Sequence, residues 1–233
     1  MFIVGHRGAR ALYPENTETA LKEGMKCADF VEIDIHLTKD GIPVVMHDAT
    51  LERTTDGSGL VCEKTLQEIQ QLDAGDGHPI PTLQDVCDIC LPSCGIVTEL
   101  KEPGSEEAIC TILREYDPDS LWIISFHPES IRVVKRLLPR VKTGLICSTD
   151  CTDPFSPVLA AGADAILPRT DNVTPEMVAE AHRQGLSVII WTPNTPEAYL
   201  KAAASGVDGW VTDDPCGLRA WVNQYQKNYS IMI

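Results

Sequence analysis

The sequence predicts a (β/α)8 barrel, and three observations carry that expectation. Eight short, apolar, β-branched runs alternate with helical patterns almost from end to end. Dividing 233 residues among eight units gives about 29 each, close to the ~30 residues of a βα repeat. The runs are nearly continuous in apolar residues, the mark of parallel strands covered on their outer face. Eight such units close most economically into a barrel. An open doubly wound sheet is the runner-up, but no G-x-G-x-x-G follows the first strand.

The elements follow in order. A strand at 2–5 runs into His6-Arg7-Gly8, and a helical pattern at 17–27 leads to a second strand at 30–36. The next run, 43–47, follows too closely to be a parallel neighbour, which needs a crossover of a dozen residues or more. The turn signal Lys39-Asp40-Gly41 makes it a hairpin arm or an irregular extension at the top of the barrel. Residues 48–81 are polar and turn-rich and read as a small lid inserted in a single domain spanning 1–233. Beyond them, strands at 95–100, 121–126, 141–146, 164–167, 187–191 and 209–212 alternate with helices at 82–91, 105–116, 128–137, 175–184, 196–204 and 215–226. Pro175, Pro196 and Pro215 each follow a Thr or Asp, the N-cap and N1-proline arrangement that starts helices. The segment 153–162 has room for one helical turn at most.

Composition excludes several functions. With 34 acidic and 19 basic residues the formal charge is −15, which disfavours nucleic acid and anionic membranes, since both are held by clustered Lys and Arg. No apolar run reaches the length of a membrane span, and the start of the chain shows no signal-peptide pattern. Nine cysteines, an odd number scattered along the chain, read as reduced, mostly buried thiols in a cytoplasmic protein. Cys87, Cys90 and Cys94 lack a fourth zinc ligand, and Cys87 and Cys90 lie on one apolar helix face. The Cys147–Cys151 spacing reads the same way. The apolar end at 229–233 packs either on the barrel or on a second subunit, so a homo-oligomer stays open.

Chemistry gathers at the carboxyl ends of the first three strands, where barrels of this type place their sites. Period-2 geometry puts Glu32, Asp34 and His36 on one face, with Ile33 and Ile35 turned outward. Adjacent carboxylates inside a barrel need neutralising. With Glu99 from the third strand they form an all-oxygen set suited to one Mg²⁺ or Ca²⁺. Arg7 and Lys101 remain to bind an anionic group, and His6 and His47 bracket the site as a general acid–base pair. Trp191 ends the seventh strand and lines the substrate pocket or packs in the core. His36 reads as a neighbour of the site, His127 as a loop or cap residue, His78 and His182 as exposed, and Asp213 and Asp214 as caps of the last helix.

The series His6-Arg7-Gly8, Pro14-Glu15-Asn16-Thr17, Glu32-x-Asp34, Leu37-Thr38-Lys39-Asp40-Gly41, His47-Asp48 and Glu99-x-Lys101 resembles the glycerophosphodiester phosphodiesterase family. The similarity continues through Arg53-Thr54-Thr55, Leu72-Asp73-Ala74-Gly75 and Ile80-Pro81-Thr82-Leu83 to Thr212-Asp213-Asp214-Pro215. The resemblance implies a barrel hydrolysing glycerophosphodiesters, which are small anionic molecules, to glycerol 3-phosphate and an alcohol. It implies metal binding by Glu32, Asp34 and Glu99, acid–base roles for His6 and His47, and phosphate contacts from Arg7 and Lys101. A cyclic phosphate formed by the glycerol hydroxyl and opened by water is the route it suggests. Only Asp76-Gly77-His78-Pro79 separates Gly75 from Ile80, shorter than in many relatives, so the expected lid is cut back. Lysophospholipids or another specialised phosphodiester are alternative substrates. A phosphosugar lyase or isomerase is a different chemistry, but it calls for a glycine-rich phosphate cradle after the last two strands, which Trp191-Thr192-Pro193-Asn194 does not supply.

Overall fold

The structure is a computed structural model that describes residues 1–147 and 153–230, with side chains described through 227. Cys151, residues 231–233 and the side chains at 228–230 lie outside that description, and with them the expectations for the Cys147–Cys151 pair and the apolar end. Eight parallel strands close on themselves: β1 (Phe2–Gly5), β2 (Phe30–Leu37), β4 (Gly95–Leu100), β5 (Leu121–Ser125), β6 (Lys142–Ile146), β7 (Ala165–Leu167), β8 (Ser187–Trp191) and β9 (Gly209–Thr212). β1 pairs with both β9 and β2, which shuts the barrel. The extra run is β3 (Pro43–Val45), antiparallel to β2 with Ile35 opposite Val45, a hairpin arm rather than an irregular extension.

Helices α1 (Glu18–Met25), α3 (Leu83–Cys90), α4 (Glu106–Leu113), α5 (Pro128–Leu137), α6 (Phe155–Ala161), α7 (Pro175–Arg183), α8 (Pro196–Ser205) and α9 (Pro215–Ser230) cover the outside. Their starts follow the sequence signals: Thr174 and Thr195 accept from the amides of Met177 and Ala198 ahead of the N1 prolines. Inside the barrel Val4, Val97, Trp122, Ile124, Leu167, Ile189 and Val211 pack together. Outside it, Ile33 and Ile35 meet Leu83, Val86, Cys87 and Cys90 of α3. Burial pushes the Cys87 and Cys90 thiols up to about 12, so they are inert packing groups.

Two expectations are corrected and one is extended. Residues 153–162 hold α6, two turns rather than one at most. Pro157 falls in its first turn, where a missing N–H breaks no helical bond, while Asp153 Oδ1 accepts from Phe155 and Ser156 and Gly162 closes the helix at φ 70°. The 48–81 segment is turn-rich as its composition indicates, and also holds a helix that the composition masks. It contains α2 (Leu66–Ile69), opened by a reciprocal capping box between Thr65 and Glu68, and it packs Leu51, Val61, Ile69 and Ile80 against Val44 and Met46. Third, Cys27 and Cys216 are not thiols. They form a disulfide, with Cα atoms 5.0 Å apart. Their 189-residue separation hides the pairing in the sequence, but barrel closure sets the first and last helices side by side.

In the chain-entropy picture a crosslink over so long a loop stabilises by up to roughly 5 kcal/mol. Cys27→Ser is therefore expected to lower the unfolding free energy by about 2–5 kcal/mol, read in a denaturant titration. The kcat stays at the wild-type value.

Candidate active site

The site is built where β1, β2 and β4 end. After Gly5 the chain turns sharply, with Arg7 at φ 50° and Gly8 at φ 84°. A Cβ on Gly8 would lie 2.4 Å from the Ala20 carbonyl carbon, so only glycine lets α1 close on this turn. The turn aims two groups inward. The backbone N–H of Arg7 donates to Glu32 Oε2 at 2.9 Å, and its guanidinium reaches Glu15 at 2.7 Å and Asp34 at 3.2 Å. His6 places Nδ1 2.6 Å from Asp213 Oδ1 and Nε2 4.0 Å from Glu32.

Strand register does the rest. Asp34 and Glu99 are direct partners across β2 and β4, so Glu32, Asp34 and Glu99 bring one oxygen each to within 4.8 Å of one another. All three are buried. Asp34 is tied down by Lys101 at 2.8 Å, by Arg7 and by the Asn16 amide at 3.0 Å. Burial opposes its ionisation, yet Lys101 and Arg7 hold its carboxyl well below the usual range. Glu32 and Glu99 go the other way. Burial first, then the neighbouring carboxylates, raise Glu32, and burial with Asp34 pushes Glu99 up to about 7. Oε1 of Glu32 is buried without a hydrogen-bond partner. An orphaned buried oxygen among three hard carboxylates fits a divalent cation such as Mg²⁺ or Ca²⁺.

A carboxyl whose folded pKa lies above its unfolded one is favoured when protonated. Without a cation, stability should therefore fall as pH rises from the ordinary 4.5 towards about 7. Cation binding requires the ionised form and releases protons. Added Mg²⁺ is expected to raise the thermal midpoint more at pH 8 than at pH 5.5, and differential scanning fluorimetry checks this.

His47 follows β3 and turns into the same space. Its Nδ1 lies 2.6 Å from Asp48 Oδ1. For both histidines a carboxylate fixes Nδ1–H and leaves Nε2 as the nitrogen that can exchange a proton. Burial lowers both pKa values, against the Asp213 hydrogen bond for His6 and against Asp34 and Asp48 for His47. The result is a cavity of about 300 Å³ with two halves. His6, Arg7, Arg10, Glu32, His47, Glu99, Lys101 and Thr192 form the polar half; Ile124, Phe126, Ile146, Leu167, Trp191 and Val211 form the apolar one. Trp191 stands edge to face with Phe126 at 6.2 Å, under the Arg169 guanidinium, and donates its indole N–H to the Leu167 carbonyl.

All eight residues singled out in the sequence thus meet at one cavity, Asp34 from directly behind it. His36 is a neighbour, its Nε2 3.2 Å from the His47 carbonyl oxygen. His127 is the N-cap residue of α5, and His182 is exposed against Asp208. His78 is half-buried against Thr19 rather than exposed. Asp214 caps α9 through the Gly217 amide. Asp213 does not cap that helix; it holds His6, because β9 lies beside β1 in the closed sheet. Arg10, which lines the cavity 3.6 Å from Asp213, was missed as a site residue, and so were Asn16, Glu15, Asp48 and Asp213, the last four partners of site side chains. Three motif segments, Pro14-Glu15-Asn16-Thr17, His47-Asp48 and Thr212-Asp213-Asp214-Pro215, contained those four without indicating what they hold.

A family model described as the glycerophosphoryl diester phosphodiesterase family matches residues 6–216. A glycerophosphodiester phosphodiesterase of Caldanaerobacter subterraneus is 37% identical over 228 residues, covering 91% of this chain and 94% of the relative. One from Bacillus altitudinis is 30% identical over 231 residues, covering 91% and 94%. Among solved structures, an Oleispira antarctica phosphodiesterase in complex with the product sn-glycerol-3-phosphate superposes with a TM-score of 0.88 at 28% identity, covering 96% of this chain and 97% of that one. With its closed parallel barrel and this match across most of its length, the chain belongs to the glycerophosphoryl diester phosphodiesterase family.

Proposed function

We propose that this protein hydrolyses glycerophosphodiesters, the deacylated phospholipids, to glycerol 3-phosphate and an alcohol. One observation carries the reading: Glu32 and Glu99, with Asp34 converging on them from behind, share a single cavity with Arg7, Arg10, Lys101, two carboxylate-backed imidazoles and an apolar wall. Residues 1–233 act as one domain, with 48–81 as a lid beside the cavity. Glu32, Asp34 and Glu99 would hold Mg²⁺ or Ca²⁺, which when bound polarises a phosphoryl oxygen and offsets its charge. Arg7 and Lys101 bind the phosphodiester oxygens and orient phosphorus for attack. One of His6 and His47 takes the proton of the attacking hydroxyl at Nε2; the other gives a proton to the departing alkoxide. Burial biases both towards the neutral form, and an anionic substrate favours protonating one of them. Trp191 packs against substrate carbons and keeps water from that side.

A cytoplasmic location belongs to this reading, with the buried thiols of Cys87, Cys90, Cys94 and Cys110 in its favour and the Cys27–Cys216 disulfide, a bond of oxidising compartments, against it. Among the described residues no helix is long and apolar enough to cross a membrane. The substrate test is release of glycerol 3-phosphate, followed by a coupled dehydrogenase, from glycerophosphoethanolamine and glycerophosphocholine. The exposed Phe126 on the apolar wall favours lysophospholipids as a second class, so lysophosphatidylethanolamine forms a further arm. Turnover of at least one glycerophosphodiester is expected; none, with the lysophospholipid cleaved, would replace the proposed substrate by the second class.

A further inference from the structure

The two histidines are held in different ways. Asp213 behind His6 sits at the end of β9 and is fixed by Asn194, which donates to its carboxylate at 2.8 Å and accepts from its amide at 3.0 Å. Asp48 behind His47 lies in a loop, outside any strand or helix. What fixes it is Arg53, reached from the 48–81 segment. Nε of Arg53 donates to Asp48 Oδ2 at 2.5 Å and Nη2 to Oδ1 at 3.1 Å. The same guanidinium turns its other edge to Glu15, donating to Oε1 at 2.7 Å and Oε2 at 3.2 Å. Glu15 Oε1 also accepts from Arg7 Nη1 at 2.7 Å. An unbroken chain therefore runs His47–Asp48–Arg53–Glu15–Arg7, joining a histidine of the site to its arginine.

We propose that Arg53 is a positioning residue: through Asp48 it sets the imidazole of His47, and through Glu15 it braces the guanidinium of Arg7. The proposal rests on the phosphodiesterase reading above and deepens it. Arg53 is half-exposed, while Glu15 and Asp48 are mostly buried. Its two bidentate contacts fall on carboxylates already engaged by site residues, so whatever they add to stability they also fix the orientation of those residues. Its backbone is seated for the task. Leu51, fully buried in the segment's apolar cluster, accepts the Thr55 hydroxyl at 2.7 Å on its carbonyl, and the Thr54 hydroxyl reaches Met46 Sδ at 3.3 Å. Lysine cannot replace this fork, because one ammonium cannot span both carboxylates in the same bidentate geometry.

The test is steady-state kinetics on glycerophosphoethanolamine at saturating Mg²⁺ for wild type, Arg53→Ala, Arg53→Lys and His47→Ala. Loss of alignment should lower kcat of R53A about 100-fold. KM should change by no more than about threefold, since Glu32 and Asp34 still hold Arg7. Millimolar guanidinium should restore about tenfold of the lost kcat, with no recovery in equal sodium chloride; R53K should fall between R53A and wild type. A purely structural residue would not show such rescue. A kcat for R53A within threefold of wild type, while His47→Ala is crippled, overturns the role of Arg53 alone. So does a loss that guanidinium leaves untouched. A wild-type protein without activity on glycerophosphoethanolamine, glycerophosphocholine and lysophosphatidylethanolamine alike overturns the phosphodiesterase reading, and the role of Arg53 with it.

Discussion

Replacing His47 by alanine is expected to lower kcat on glycerophosphoethanolamine about 10²- to 10⁴-fold, the usual worth of a positioned proton donor or acceptor. His6→Ala should fall in the same range. The two imidazoles are equivalent in kind: each fixes Nδ1 on a carboxylate 2.6 Å away and presents Nε2 to the cavity. They differ in setting. His6 is the more buried, with a side chain 15% exposed against 34% for His47. His6 also lies 4.0 Å from Glu32, so its loss should perturb cation affinity as well, whereas His47→Ala should leave it unchanged. Isothermal titration with Mg²⁺ alongside the kinetics separates these effects. Equal, wild-type kcat values in both variants would remove the acid–base pair from the account.

Asp34→Asn is expected to destabilise the protein by about 3–5 kcal/mol, because removing one member of a buried charge cluster strands the others. Lys101, Arg7 and Asn16 all converge on this carboxylate. Activity should disappear with it, through both the cation and the phosphate clamp. Glu99→Gln offers the opposite sign. Its carboxyl is pushed up to about 7 by burial and by Asp34, so neutralising it should raise the metal-free thermal midpoint at pH 8 while abolishing the shift produced by Mg²⁺. Thermal melts of both variants with and without Mg²⁺ give the comparison. A destabilised metal-free Glu99→Gln protein would contradict the crowded-carboxylate picture.

The barrel and the acidic cluster were legible because both are written in local patterns. Eight apolar runs at regular spacing set the strands, and the two-residue period of Glu32-x-Asp34 and Glu99-x-Lys101 set which side chains face inward. The short link between 37 and 43 excluded a parallel neighbour, and the antiparallel pairing with β2 is what the structure adds. Nothing local points to Asp213 behind His6, 207 positions away, or to the Cys27–Cys216 bond; both exist because barrel closure joins the first unit to the last. Arg53 was visible as part of a motif, but its two carboxylate partners lie 5 and 38 residues away, and no periodicity relates them. The capping signal at Thr65 and Glu68 was present in the sequence and outweighed by the surrounding polar, turn-rich composition.

The net charge of −15 bears on the central claim, that an anionic phosphodiester is drawn to a positive focus made by a cation with Arg7 and Lys101. Distant surface charges are screened at physiological salt, whereas Glu32, Asp34 and Glu99 act at contact. Metal removal should turn that mouth from attractive to repulsive. The most direct measurement is glycerol 3-phosphate release from glycerophosphoethanolamine by protein stripped with a chelator, then resupplied with Mg²⁺ or Ca²⁺. Loss of turnover on stripping, and recovery with at least one of the two ions, is predicted. Full turnover by the stripped protein would contradict it.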